Sequence, residues 1–189
     1  MAVIRKQVKH YSEPGHVHEL TFSCYQRRPL LTNDHWRGLM AEAVNRAMAR
    51  HDYRLLAFVF MPEHVHLLVY PEEGAASLPE LLNAIKRPYS YRIKQLLMAA
   101  GSPLISQLTV HQRPGVKTFR YWQEGPGYDR NITNLETLRL AIDYIHENPV
   151  KRGLCQQSVD WKWSSARWHL SGGGIVEEGL PLLRSLPWS

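Results

Sequence analysis

Two groups of residues in this chain have types and spacings that could do chemistry. In Met61-Pro62-Glu63-His64-Val65-His66-Leu67-Leu68-Val69, two histidines stand two apart on a run that reads as a β-strand following a Pro-Glu turn. Side chains alternate along a strand, so His64 and His66 project from one face, where two imidazoles can hold one divalent ion. Far downstream, Asp143-Tyr144-Ile145-His146-Glu147-Asn148-Pro149-Val150 carries a tyrosine and an asparagine four apart near the end of a predicted helix. Residues at that spacing share a helix face one turn apart. Two metal-binding imidazoles, an amide oxygen from Asn148 as third ligand and a hydroxyl beside it describe metal-assisted attack of Tyr144 on a phosphodiester.

Each of these residues also has a plainer reading. A second His-x-His, His16-Val17-His18, lies near the terminus after Pro14-Gly15 and is expected to pack, or to contact phosphate, at the entry to the first strand. Without a metal, His64 and His66 would be a hydrogen-bonded pair on a sheet surface. Tyr144 stands beside the apolar Ile142 and Ile145, which suits packing, and Tyr89, Tyr91, Tyr121 and Tyr128 are rival nucleophiles by residue type. Asn148 is also a good helix C-terminal cap.

The elements that must position these groups follow from periodicity. Residues 1–18 read as a polar, basic arm, and Leu20 to Tyr25 alternates as a first strand. Asp34 to Arg50 is a predicted helix with Asn33 or Asp34 as cap and Trp36, Leu39, Met40, Ala43, Val44, Ala47 and Met48 as its buried stripe. Tyr53 to Met61 is apolar enough for a central strand buried on both faces, and His64 to Tyr70 returns beside it. Ser77-Leu78-Pro79-Glu80 reads as a capping box opening a second long helix, which Pro88 is expected to kink or split. Residues 100–117 read as a long loop and Thr118 to Tyr128 as an aromatic, ragged strand. Thr133-Asn134-Leu135-Glu136 repeats the capping-box pattern before a helix with the stripe Leu135, Leu138, Ile142 and Ile145. Asn148, preceding Pro149, marks its expected end. Helices interspersed with antiparallel strands give an α+β class. The expected organisation is one domain over residues 1–170 and a tail over 171–189.

The 189 residues carry a formal charge of +6, a balance that favours a polyanionic partner such as nucleic acid. Candidate DNA contacts are Arg27 and Arg28 after the first strand, and Lys86, Arg87, Tyr91, Arg92 and Lys94 on the second helix. Lys117, Arg120 and Arg130 lie around the last strand, and Lys151 and Arg152 follow Tyr144. Basic and aromatic residues interleaved in this way suit phosphate contacts and stacking on unpaired bases. Nothing in the sequence has the length and hydropathy of a membrane span or a signal peptide, so a cytoplasmic protein without a membrane partner is expected. Two cysteines far apart in sequence, Cys24 and Cys155, argue against a disulfide framework.

The segment 61–69 resembles the paired-histidine (HUH) signature of single-tyrosine transposases. Tyr144-Ile145-His146-Glu147-Asn148-Pro149-Val150-Lys151-Arg152-Gly153-Leu154 resembles the tyrosine helix of one branch, the REP-associated tyrosine transposases. Tyr121-Trp122-Gln123-Glu124-Gly125, Tyr128-Asp129-Arg130 and Asp160-Trp161-Lys162-Trp163-Ser164-Ser165 agree with it, so the resemblance runs in order over roughly residues 16–170. The resemblance implies a ferredoxin-like antiparallel sheet with helices packed on it. It implies His64 and His66 as metal ligands, Asn148 as the third, and Tyr144 as nucleophile. It implies cleavage and rejoining of single-stranded DNA at palindromic hairpins, through a 5′-phosphotyrosine and with Mg or Mn as the metal. A monomer and a homodimer are both compatible with it. The rival readings are a hairpin-binding protein without turnover, a rolling-circle initiator or relaxase, and a small hydrolase acting through a metal-bound water.

Overall fold

A computed structural model describes residues 15–125 and 127–187. The sequence runs β1 (Val17–Ser23), α1 (Asp34–Arg50), β2 (Tyr53–Phe60), β3 (His64–Pro71), α2 (Leu78–Ala99), α3 (Leu104–Gln107), β4 (Thr109–Arg113), β5 (Val116–Phe119), β6 (Tyr128–Ile132), α4 (Leu135–Lys151) and α5 (Ala166–Leu170). Four strands form one sheet in the order β2-β3-β1-β6, and β4 pairs with β5 as a separate hairpin. Every pairing in the main sheet is antiparallel. The order and the two crossover helices between strands are the ferredoxin-like arrangement, so the α+β class holds.

Alternation divides the sheet between two cores. Leu20 and Phe22 of β1 and Val65, Leu67 and Val69 of β3 join the buried faces of α1 and α2. Val17 of β1 and Leu68 and Tyr70 of β3 lie on the other side, against Leu138, Ala141 and Ile145 of α4. His64 and His66 share the phase of Leu68 and Tyr70, so the fold turns both imidazoles toward the tyrosine helix. The hydrophobic effect at ~25 cal/mol per Å² of buried apolar surface drives both layers.

Several local expectations give way. β2 stands at the end of the sheet, not in its centre. Its outer edge is covered by the Trp-rich segment, where Phe60 N donates to the Trp163 carbonyl at 2.8 Å and Ser165 N donates to that of Phe58 at 3.0 Å. A register shift between Leu55 and Ala57 marks a bulge. Ser165 Oγ accepts from Phe58 N and a His169 ring nitrogen meets the Leu56 carbonyl there. The run is apolar on both faces because Leu55, Phe58 and Phe60 join the α1–α2 core while Leu56, Ala57, Val59 and Met61 join the α4 core. α2 is unbroken across Pro88, because one missing amide donor is tolerated when the rest of the helix is pinned on a buried stripe. α4 likewise continues past Asn148, with Pro149 in its last turn. Its start is capped by the Asn134 side chain accepting from Thr137 N at 2.8 Å, not by Thr133, and Leu135 is exposed.

The region expected as a loop holds α3 and the β4–β5 hairpin, and of the predicted aromatic strand only the ends are in strands, Thr118 and Phe119 in β5 and Tyr128 in β6. β1 starts at Val17 and so takes in residues read as the end of the basic arm; residues 1–14 lie outside the described part. The capping box at Ser77 and Glu80 is present. The C-terminal segment folds back on the body: Leu182 N donates to Asn45 Oδ1 of α1 and Arg184 N to the Leu55 carbonyl. Both cysteines are free thiols.

Candidate active site

Between the exposed face of β3–β1 and α4 lies a cleft of about 630 Å³. Its walls include His64, His66, Tyr144 and Asn148, together with Thr21, Glu19, Glu63, Tyr128, Arg27, Arg130 and Arg152. Register explains the floor: Thr21 pairs with His66 and Ser23 with His64 across β1–β3, so the hydroxyls stand beside the imidazoles.

The two imidazoles face each other. His64 Nε2 and His66 Nε2 are 3.0 Å apart. Their other nitrogens are engaged behind them, His66 Nδ1 with Thr21 Oγ1 at 2.8 Å and His64 Nδ1 with Glu63 Oε1 at 3.3 Å. Burial pushes His66 down to about 3, helped by the neighbouring His64 charge. Burial also lowers His64, with Glu63 opposing the shift and Arg152 and Arg27 adding to it. Both rings are therefore neutral near pH 7. A carboxylate can only accept, so His64 Nδ1–H donates to Glu63 and His64 Nε2 carries a bare lone pair. With His66 donating Nδ1–H to Thr21, the two Nε2 lone pairs face each other and can share a cation; with Thr21 donating to His66 Nδ1 instead, His66 Nε2–H bonds His64 Nε2 and the pair is closed without metal. Two nitrogens each ~2.1 Å from one ion come about 3 Å apart when they are neighbours in an octahedral shell. The donor set thus fits a divalent ion.

Among the described residues, no three His, Cys, Asp or Glu side chains cluster in a way that could hold a metal. Asn148, with an amide oxygen able to bind a cation, lies in the same cleft wall. Its Nδ2 donates to the Tyr144 carbonyl at 2.8 Å, which turns the amide nitrogen to the helix and leaves Oδ1 free of that bond. The Tyr144 ring stands perpendicular to that of His66 with centroids 6.0 Å apart, and the side chain is about half exposed. Lys151 Nζ sits 5.2 Å from the Tyr144 ring centroid, a cation–π contact.

The rival tyrosines separate sharply. Tyr89 and Tyr121 are buried, with their hydroxyls bonded to each other at 3.2 Å. Tyr91 is exposed but on α2, across the sheet. Tyr128 is exposed and lines the same cleft as Tyr144.

The basic residues are spread over more of the surface than their sequence grouping suggested. Arg27, Arg130 and Arg152 line the cleft, and Lys151 reaches it through Tyr144. Arg130 also approaches the buried Glu19 at 3.7 Å. Burial raises the Glu19 carboxyl, and Arg130 opposes that shift. Lys86 lies over the Phe22 ring and is pushed down to about 8 by burial. It faces a smaller groove that shares Thr21, Ser23, Arg27 and Tyr128 with the cleft. A β-carbon on Gly127, at φ +79°, would collide with the Thr21 carbonyl, so glycine there lets this wall close onto β1. Arg87, Tyr91, Arg92 and Lys94 belong to the opposite layer, with Arg92 paired to Glu42 of α1. Arg28 bonds Gln107, Arg120 pairs with Glu124, and Lys117 is on the β4–β5 hairpin.

Sequence reading missed Thr21, Glu63 and Glu19. Glu63 stood inside the histidine motif and needed only the question of what holds His64 Nδ1. Thr21 could be found only from the β1–β3 register.

Comparison with known proteins agrees with this architecture. The family described as IS200-like transposase matches residues 13–107. A REP-associated tyrosine transposase of Escherichia coli is 26% identical over 140 residues, 74% of this chain and 69% of its own length. A Haemophilus influenzae relative, provisionally described in the same words, is 21% identical over 123 residues, 65% of this chain and 64% of its own length. A solved structure of a REP-associated tyrosine transposase bound to a REP hairpin superposes with a TM-score of 0.67 at 21% identity, covering 97% of this chain and 96% of the other. The chain belongs to the IS200-like transposase family, and its motifs and fold are similar to those of the REP-associated tyrosine transposases.

Proposed function

We propose that this protein cleaves and rejoins single-stranded DNA beside palindromic hairpins, with Tyr144 as nucleophile and His64, His66 and Asn148 as ligands of a divalent metal, Mg or Mn. The observation that carries the reading is the pair of imidazole nitrogens 3.0 Å apart with the Tyr144 ring 6.0 Å from His66 in the same cleft.

The Tyr144 oxygen attacks the scissile phosphorus, a P–O bond to tyrosine forms, and the bond to the 3′-oxygen breaks. The proton lost by the phenol is balanced by the one gained at the 3′-hydroxyl. The phosphotyrosine keeps the energy of the broken ester, so attack by another 3′-hydroxyl rejoins the strand without ATP. A bound divalent ion supplies what the phenol lacks, polarising the phosphate and offsetting the charge that builds on it. Arg27 and Arg130 border the cleft and Lys151 lies beside Tyr144, and these cations would meet the flanking phosphates. Lys86 would extend the DNA surface into the adjoining groove, and Arg28, Arg87, Tyr91, Arg92, Lys94, Lys117 and Arg120 would extend it farther from the cleft. His64, His66, Tyr144 and Asn148 come from one chain, so a monomer has a complete set. The hairpin substrate rests on the likeness to the relative whose structure holds one.

The test uses a labelled single strand bearing a hairpin, with Mn. Wild type is expected to form a denaturation-resistant adduct, Tyr144→Phe none, and His64→Ala to lose cleavage. An adduct on Tyr144→Phe would move the nucleophile, with Tyr128 the alternative in the cleft. Hairpin binding by wild type with no adduct would make this a binding protein without turnover.

A further inference from the structure

The end of α4 and the turn before β3 meet at one carboxylate. Glu63 Oε1 is 3.3 Å from His64 Nδ1 and 2.8 Å from Arg152 Nη1. The Glu63 side chain is 13% exposed and that of Arg152 56%, so the carboxylate is sheltered while the guanidinium reaches in from the rim. Arg152 follows directly on α4, one residue beyond its last turn. Its own amide is bonded to the Asn148 carbonyl at 3.1 Å. The turn holding Glu63 is itself fixed, since the Glu63 carbonyl accepts from Cys24 N at 2.8 Å.

We infer that Glu63 and Arg152 form a clasp that fixes the tyrosine helix and the metal-binding histidine in one geometry. Arg152 is a positioning residue acting through Glu63, beyond any contact it makes with DNA. Glu63 holds His64 in the Nδ1–H form, which aims the Nε2 lone pair at His66. Arg152 holds Glu63 in that orientation and ties the Asn148–Tyr144 end of α4 to it. A carboxylate behind a histidine ligand commonly sets its tautomer and raises its affinity for metal. The inference rests on the proposed metal site but not on turnover.

Charge alone makes the opposite forecast for Arg152. Removing a cation beside a cation-binding site should tighten metal binding by simple Coulomb attraction. Removing a positioning group should weaken it.

The experiment measures Mn binding to the full chain without DNA, alongside nitrogen NMR of the metal-free His64 ring. Glu63→Ala is expected to weaken Mn binding about tenfold and to move the His64 proton from Nδ1 toward Nε2. Arg152→Ala should weaken it by less than Glu63→Ala does, Arg152→Lys should restore part of the loss, and the double variant should bind no more weakly than Glu63→Ala alone. Unchanged or tighter Mn binding by Arg152→Ala, with weaker oligonucleotide binding as its only defect, would overturn the clasp. So would an unaltered His64 tautomer in Glu63→Ala. Failure of the wild type to form an adduct would remove the proposed reaction and leave these binding and tautomer results standing.

Discussion

The chain contains the tripeptide His-Val-His twice, at 16–18 and at 64–66, on neighbouring strands of one sheet, and the two copies have different fates. His16 precedes β1, so only His18 is held in the strand. His18 shares the phase of Leu20 and Phe22, faces the α1–α2 layer, is fully buried, and has its Nδ1 3.1 Å from Asp129 Oδ1. One ring meets one carboxylate in a closed interior. His64 and His66 are both within β3, on the opposite face, with nitrogens converging on each other beside an open cleft. Spacing therefore supplies the possibility of a paired site. The face of the sheet, and what stands opposite, decide whether the pair is structural or chemical.

The largest expected contrast comes from removing one ring of each copy. His66→Ala should cut adduct formation by more than about 100-fold while the protein remains folded, because a ligand of the proposed metal is gone. His18→Ala should instead lower stability by about 1–3 kcal/mol, since the buried Asp129 loses this partner. Its adduct rate per folded molecule should stay near wild type. Urea unfolding and a single-turnover cleavage assay on both variants separate the two effects. If His18→Ala abolished cleavage without destabilisation, the distinction between the copies would fail.

A smaller effect is expected from the group behind the ring. Thr21→Val keeps the shape but removes the hydroxyl at His66 Nδ1, and should weaken Mn binding by roughly tenfold. Calorimetric titration reads this directly.

The smallest effect is on the pH dependence of stability. Burial depresses His66 and His146 to about 3, and His146 sits on Ser165 with Nε2 2.7 Å from Oγ. The unfolded chain takes up these protons near the ordinary value of ~6.5, whereas the folded chain does not until far lower pH. Stability is therefore full above about pH 6.5 and falls as pH drops toward 3, by up to ~1.4 kcal/mol per pH unit for each such group. Metal-free protein should show this decline in thermal melts between pH 7 and 5, and His146→Asn should make it shallower. A melting temperature flat over that range would contradict the buried, neutral histidines.

What the sequence disclosed and what it hid follow the same division between local pattern and distant contact. The β3 alternation and the helical spacing of Tyr144 and Asn148 are local, and they were enough to put four side chains in one cleft. The buried stripe of α1 was legible for the same reason. β2 misled because an apolar run records burial of its two faces without saying what lies at its edge; helices bury both faces, and the edge is met by Trp163 to Ser165, a hundred residues away. Pro88 and Pro149 misled because helix-breaking tendencies are weak beside the packing of Ile85, Tyr89 and Ile145. The basic residues of α2 looked contiguous with the site along the chain, yet only Lys86 reaches a groove beside it, and the helix on the other layer carries Arg87, Arg92 and Lys94 away. Thr21 and the Arg152–Glu63 contact depend on register and on tertiary approach, which no spacing rule encodes.

The most direct measurement is to digest the covalent complex formed with a hairpin-bearing oligonucleotide and Mn and to identify the modified peptide by mass spectrometry. The nucleotide phosphate is expected on Tyr144 alone. Its appearance on Tyr128, or on any tyrosine outside α4, would contradict the claim that the imidazole pair and the tyrosine helix form a single reaction centre.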